Sequence, residues 1–279
     1  MMIDIESAGI TDIGKCREDN EDALLIDDDM GLYIVADGVG GHQAGEVASH
    51  LVVETMSHTI RKLINADSTG ELIDHDPTLS SSANRLMSSI HLANRDVHMS
   101  SNSIKDYHGM GSTVSAVYFA DESLIAANVG DSPIYLIRDG SIDVLSVPHT
   151  ILAEQVPTVF NETKQKENAL KHILTQAMGI EQTVTAEVCE IQWFPGDIVV
   201  ICSDGLSNKL CPEEISKIVT RERPNIACRS LIDLANESGG DDNITVIVLM
   251  VNKTKKIKNR ISRFVSKILA SFKYQFTIF

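Results

Sequence analysis

Short apolar runs alternate with polar punctuation along this chain, and that rhythm predicts strands joined by tight turns. Residues 23–26 (Ala-Leu-Leu-Ile) and 32–36 (Leu-Tyr-Ile-Val-Ala) have strand length and composition. Between them, Asp27-Asp28-Asp29-Met30-Gly31 reads as a hairpin turn; it lacks the alternating acids and distal glutamate of a calcium loop. Residues 2–11 alternate loosely, and Thr11-Asp12-Ile13-Gly14 reads as a turn. Residues 113–120 alternate, and 124–129 and 134–137 follow after turns that contain Asp121-Glu122-Ser123 and Gly130-Asp131-Ser132-Pro133. Spacings this short predict an antiparallel meander. Residues 184–191, 198–202 and 244–249 predict three more strands.

In two stretches the period changes. Val47, Leu51, Val52, Met56 and Ile60 recur at helical spacing and predict a helix over about 44–64. Leu86, Ile90, Ala93 and Val97 predict a second over about 83–102. His91 and His98 share a side of it and read as surface residues, because no acid or cysteine completes a ligand set. Shorter helices are expected at 211–220, 226–236 and 172–178, a polar loop at 66–82, and a mobile loop or short helices over the irregular, polar residues 146–168.

The strand ends carry the candidate chemistry. Ala36-Asp37-Gly38-Val39-Gly40-Gly41-His42-Gln43-Ala44-Gly45 joins an apolar strand to a helix, with four glycines in eight positions. Glycine permits tight backbone and close approach of a carbonyl to a ligand, because no Cβ intervenes. A turn alone would also explain Asp beside Gly. The pattern recurs, however. Acids stand at strand mouths or ends at Glu21/Asp22, Asp37, Asp131, Asp204 and Asp241/Asp242, mostly beside glycine. Carboxylates converging on one point are unstable alone, since like charges about 4 Å apart repel by ~4 kcal/mol at an effective dielectric of about 20. Protonation or bound cations would relieve this, and an all-oxygen ligand set suits Mg²⁺ or Mn²⁺ rather than zinc. No HExxH, GxSxG or Walker loop is present, and Gln43 breaks the dinucleotide fingerprint.

Composition narrows the classes. The net charge is −15 and aromatics make up 5%, which argues against a nucleic-acid surface. Five cysteines without CxxC spacing read as free thiols of a reducing cytosol. There is no signal-peptide pattern and no apolar run of membrane-spanning length, so a cytoplasmic location is expected. The charge is uneven. Residues 253–279 hold eight basic side chains and no acid, while 1–252 hold 16 basic and 39 acidic, a net of −23. A boundary near Asn252 is therefore expected, between a domain at 1–252 and a basic tail at 253–279. In the tail Ile257, Ile261, Phe264, Val265, Ile268 and Phe272 fall at helical spacing. Three occupants suit such a helix: an anionic membrane, here the inner membrane face, the acidic domain itself, or a partner protein.

Six motifs, in one order, match a known family. They are Arg17-x-x-Asn20-Glu21-Asp22, Ala36-Asp37-Gly38-Val39-Gly40-Gly41-His42, Met110-Gly111-Ser112-Thr113, Asn128-Val129-Gly130-Asp131-Ser132, Ser203-Asp204-Gly205-Leu206 and Asp241-Asp242-Asn243-Ile244-Thr245. With these motifs the chain resembles the metal-dependent protein serine/threonine phosphatases of the PP2C (PPM) type, bacterial branch, from about residue 3 to 251. The resemblance implies an α+β fold, a four-layer α-β-β-α sandwich of two antiparallel sheets with flanking helices. It implies two Mn²⁺ or Mg²⁺ ions and a weaker third. Asp37 and the Gly38 carbonyl would hold the pair, with Asp204 and Asp242; Glu21 or Asp22 would act through water, and Asp131 would help hold the third ion. Arg17 would grip the substrate phosphate with its planar fork. His42 would assist proton transfer, or else is a surface histidine at a helix start. Hydrolysis would proceed by in-line attack of a metal-bridged hydroxide on phosphoserine or phosphothreonine, without a phospho-enzyme. Phosphorylated proteins, such as targets of a cognate serine/threonine kinase, would be the substrates of a monomer. A catalytically inactive phosphoprotein-binding scaffold is the alternative; it would show lost metal acids, and here all are present.

The chain departs from that family at named positions. Val39 stands where eukaryotic members have a histidine, Pro133 replaces the usual arginine, and Pro148 replaces the acid before His149. Residues 151–168 lack the usual flap-loop sequence.

Overall fold

A computed structural model of the chain describes residues 4–40, 44–65, 74–120, 122–154 and 173–252. Its strands are β1 (Ile5–Asp12), β2 (Asp22–Asp27), β3 (Leu32–Val39), β4 (Gly111–Ser112), β5 (Val114–Ala120), β6 (Ser123–Val129), β7 (Ile134–Arg138), β8 (Ser141–Val144), β9 (Glu187–Gln192), β10 (Ile198–Cys202) and β11 (Ile244–Val251). Its α-helices are α1 (Ala44–Asn65), α2 (Ser81–Ser103), α3 (Ile151–Glu154), α4 (Asp204–Ser207), α5 (Pro212–Val219) and α6 (Pro224–Glu237).

Two antiparallel sheets form. One runs β1-β11-β10-β7-β8; the other runs β2-β3-β5-β6-β9, with β4 added to β3. Side chains alternate across each strand, and here both faces are covered. In β3, Leu32, Ile34 and Ala36 join the core under α1 and α2, while Tyr33 and Val35 enter the core between the sheets. In β11, Ile244, Val246 and Val248 face the core under α5 and α6, while Ile247, Leu249 and Val251 face the other sheet. Three apolar cores therefore separate four layers, α-β-β-α, as expected. Two-sided burial is why these strands read as unbroken apolar runs rather than clean alternation.

The helices at 44–64, 83–102, 211–220 and 226–236 form within a residue or two of expectation. Ser80 caps α2 through its side chain, accepting from the Ala83 N–H at 3.1 Å. Most differences lie between residues 141 and 190. No helix forms over 173–178; instead Leu174 bridges to Thr150, and Ile151 N–H donates to the Ile173 carbonyl at 3.0 Å. That segment is tied to its neighbours by backbone pairing, which overrides its apolar spacing. The strand expected from residue 184 starts at Glu187. The short β4, β8 and α4 were not foreseen, and residues 155–172 lie outside those described. Among the described residues, no helix is long and apolar enough to cross a membrane. All five cysteines are free.

The functional end of the sandwich follows from register. Asp22 opens β2 opposite Asp37 near the end of β3. Asp12 closes β1 opposite Ile244, which opens β11. At its far end, β11 pairs Val251 with Ile5, and the Asn252 N–H donates to the Asp4 carbonyl at 2.8 Å.

Candidate functional site

Five loops and strand ends meet at that edge around a pocket of about 240 Å³. Arg17, Glu21, Asp37, Gly38, Asp131, Asp204 and Asp242 line it, with Val39, Gly40, Thr113, Leu174 and Asn243. The structure thus brings together seven of the nine residues singled out in the sequence. Asp22 sits behind the pocket rather than in its lining, and His42 lies outside the described residues. Asp241 points away and pairs with Lys209.

Backbone bonds fix Asp37 without using its carboxylate. Its N–H donates to Thr113 Oγ1 at 3.1 Å, and its carbonyl accepts from the Thr113 N–H at 2.8 Å and Ser112 Oγ at 3.0 Å. The carboxylate is left for another partner. Asn243 joins the two lobes of the rim: its Oδ1 accepts from the Glu21 N–H at 2.8 Å, and its Nδ2 donates to the Ile13 and Asp19 carbonyls at 3.0 Å each. Asp22, 4% exposed, accepts at Oδ2 from Ser203 Oγ (2.8 Å) and Thr245 Oγ1 (2.7 Å), while its Oδ1 is buried without a partner.

Electrostatics explain why the acids cannot stay bare. Burial lifts Asp37 well above the ordinary carboxylate range, and the charges of Asp22, Asp204, Asp242 and Asp131 push it further. Burial also lifts Asp22 to about 7, against the two hydroxyl hydrogen bonds, with Asp204 and Asp242 adding to the rise. Asp131 is pushed up to about 7 by burial and by Asp204. Burial raises Glu21 as well, and Arg17 partly offsets it. Among the described residues of the lining Arg17 is the one cation; it donates from Nη2 to Asp242 Oδ2 at 2.9 Å with its side chain 49% exposed.

Do these residues fit divalent metal ions? Among the described residues, no three acid, histidine or cysteine side chains close on one point as a finished shell. The donors instead surround a common pocket. Three observations favour a cation there: carboxylates that hold each other protonated, an orphaned buried Oδ1 on Asp22, and the cradle at Gly38. A Cβ on Gly38 would run into the Gly45 carbonyl and lie 2.6 Å from the Glu21 carbonyl oxygen. Only glycine lets β3, the start of α1 and the mouth of β2 close together with the Gly38 carbonyl at the pocket. Gly38→Ala is expected to lower stability by about 1–3 kcal/mol, as overpacking of a tight site does. Urea unfolding checks this; an unchanged midpoint would show that the cradle has slack.

Five lining residues, Val39, Gly40, Thr113, Leu174 and Asn243, were not singled out as site residues in the sequence. Asn243 and Thr113 lay inside quoted motifs, as the neighbours of acids or glycines, and their hydrogen-bonding capacity was the available signal. Leu174 had none, because only the Thr150 bridge brings it to the pocket.

The protein phosphatase 2C family model matches residues 14–232. The chain is 33% identical to the serine/threonine phosphatase stp of Listeria monocytogenes, over 88% of this chain and 96% of that protein. It is 32% identical to the serine/threonine protein phosphatase PstP of Mycobacterium tuberculosis over 86% of this chain, which spans 44% of that longer protein. The crystal structure of the M. tuberculosis phosphatase PstP/Ppp superposes with a TM-score of 0.76 at 28% identity, over 89% of this chain and 99% of that one. The catalytic domain of PstP in complex with two manganese ions matches with a TM-score of 0.74 at 29% identity, over the same shares. Family model, relatives and fold agree over nearly the whole described length: the chain belongs to the protein phosphatase 2C family.

Proposed function

We propose that the chain is a metal-dependent protein serine/threonine phosphatase, acting on phosphoserine and phosphothreonine in proteins. The observation that carries this is a guanidinium at the mouth of a pocket whose lining includes five carboxylates, of Glu21, Asp37, Asp131, Asp204 and Asp242, beside Gly38. Glu21, Asp37, Asp204, Asp242 and the Gly38 carbonyl would hold two Mn²⁺ or Mg²⁺ ions, and Asp131 a weaker third. Bound there, the ions would supply positive charge to the phosphoryl oxygens and acidify a water. Asp22, behind them, would act through a water at its unpartnered Oδ1.

The chain's own residues do the rest. Arg17 is half exposed and can swing from Asp242 to a phosphate, whose geometry its fork matches with two parallel hydrogen bonds. Asn243 keeps the Arg17–Glu21 loop against Asp242, so the phosphate clamp and the acids move as one unit. Among the described residues the pocket lining holds no serine or cysteine, which favours direct hydrolysis. His42 is proposed, on its motif alone, to pass a proton to the leaving oxygen.

Residues 1–252 form the phosphatase domain in this reading, and 253–279 a separate basic segment that contacts an anionic membrane surface, the acidic domain or a partner protein. A cognate serine/threonine kinase, a monomeric state and a cytoplasmic location, with the tail at the inner membrane face, complete it. The inactive-scaffold reading has no observation in its favour, since every acid it would lose is present. Hydrolysis of p-nitrophenyl phosphate with and without Mn²⁺ tests the proposal. Mn²⁺-dependent release of nitrophenol is expected; binding of phosphopeptides without turnover would replace the enzyme by the scaffold.

A further inference from the structure

The rim of the pocket is not all acid. Helix α2 grips the turn that follows residue 178. Asn94, 1% exposed, accepts the Gly179 N–H at Oδ1 (2.7 Å) and donates from Nδ2 to the Glu181 and Gln182 carbonyls (3.2 Å each). His98, expected at the surface, has Nδ1 3.1 Å from the Gly179 carbonyl, so that nitrogen carries the proton. Gly179 has φ +83°, and a Cβ there would collide with the Val97 side chain. The turn therefore has one position against α2.

Its neighbour Met178 exchanges two backbone hydrogen bonds with Ser112, at 2.7 and 3.1 Å. Ile180 is thereby set over Gly111, where a Cβ would lie 2.9 Å from Ile180 Cδ1. Gly111 pairs directly with Val39. Opposed residues of an antiparallel pair present their side chains on one face, so Ile180 occupies the face of the Val39 side chain. Val39 lines the pocket, and Ile180 is 48% exposed. An isoleucine fixed by six hydrogen bonds in its turn, yet half in water, lies beside a valine on the wall of the phosphate pocket.

We propose that Val39 and Ile180 form an apolar subsite for the residue flanking the phosphorylated serine or threonine, so that phosphoproteins with an apolar neighbour there are the preferred substrates. This rests on the phosphatase reading. The phosphate fits the charged end of the pocket, and the adjoining side chain of the substrate then covers the ledge. That contact removes apolar surface from water only when the peptide is seated.

Two phosphothreonine peptides, identical except for Leu or Gln on both sides of the phosphothreonine, test it with the full chain in Mn²⁺. A kcat/KM preference of about tenfold for the Leu peptide is expected, of the size that a small apolar contact gives. Ile180→Ser should bring the ratio near one, and Ile180→Leu should keep it. p-Nitrophenyl phosphate has no flanking residue, so its turnover by the unsubstituted chain tests the phosphatase reading separately. If it is hydrolysed but the two peptides are treated alike, or if Ile180→Ser retains the preference, the subsite is overturned and the phosphatase stands. If neither p-nitrophenyl phosphate nor peptide is hydrolysed, both fall.

Discussion

Asp37→Asn should lose at least about 10³-fold in turnover of p-nitrophenyl phosphate in Mn²⁺, yet the metal-free variant should melt no lower than the native chain. The first half follows from removing the carboxylate proposed to hold the metal ions, a larger change than deleting one transition-state hydrogen bond, itself worth ~10²–10³-fold. The second half follows from what holds Asp37 in place. Thr113 and Ser112 bond its backbone, and no described bond to its carboxylate is needed. Burial and four neighbouring acids already favour its neutral form, and asparagine is a neutral side chain of the same shape. Activity in Mn²⁺ and thermal melting in EDTA measure the two halves. Normal turnover would sink the site assignment. A large drop in melting temperature would show instead that the carboxylate serves the fold.

Raising the pH from 4 to 7.5 should destabilise the metal-free protein through the same cluster, and Mn²⁺ should reverse this. Asp22 and Asp131 stand at about 7 in the folded chain, against about 3.9 unfolded. A folded pKa raised above the unfolded one contributes stability that is complete below pH ~4 and lost as pH rises through about 7. For the buried Asp22 alone, a rise from about 3.9 to about 7 corresponds to on the order of 4 kcal/mol. His149 runs the other way, because burial lowers its pKa. Comparison with Asp22→Asn cancels that contribution: the variant should gain on the native chain as pH rises. Its amide oxygen can still accept from Ser203 and Thr245. At a Mn²⁺ concentration a hundredfold above its dissociation constant, binding adds about 2.7 kcal/mol, or roughly 5–10 °C in melting temperature. The gain should be smaller at pH 5, where protons compete for the carboxylates. An equal Mn²⁺ gain at both pH values, or a native chain that does not lose ground to Asp22→Asn, would contradict the cluster.

How much of this was legible beforehand depended on the range of the interaction. The long helices could be read because Val52, Met56 and Ile60 fall on one stripe. Strands such as β3 could be read because both faces are buried, so every residue is apolar. The pocket acids could be read because each is local punctuation at a strand end, repeated often enough to imply convergence. Their unequal placement could not. Asp22 and Glu21 are neighbours in sequence, yet one is sealed under Ser203 and Thr245 while the other lines the pocket, a difference set by partners about 180 and 220 residues away. Residues 173–186 were the least legible. Leu174, Met178 and Gly179 take their positions from Thr150, Ser112 and Asn94, and none of those pairings leaves a periodic trace.

Strand β11 makes the molecule a lever with two ends. It starts beside Asp242 and stops where Asn252 meets Asp4, eight residues away. At ~3.3 Å per residue that is roughly 26 Å of stiff, fully paired strand. A hold on the chain right at Asn252 would therefore act at the end of the sheet away from the acids. A tether there would shorten the search for nearby phosphoproteins without standing in their way.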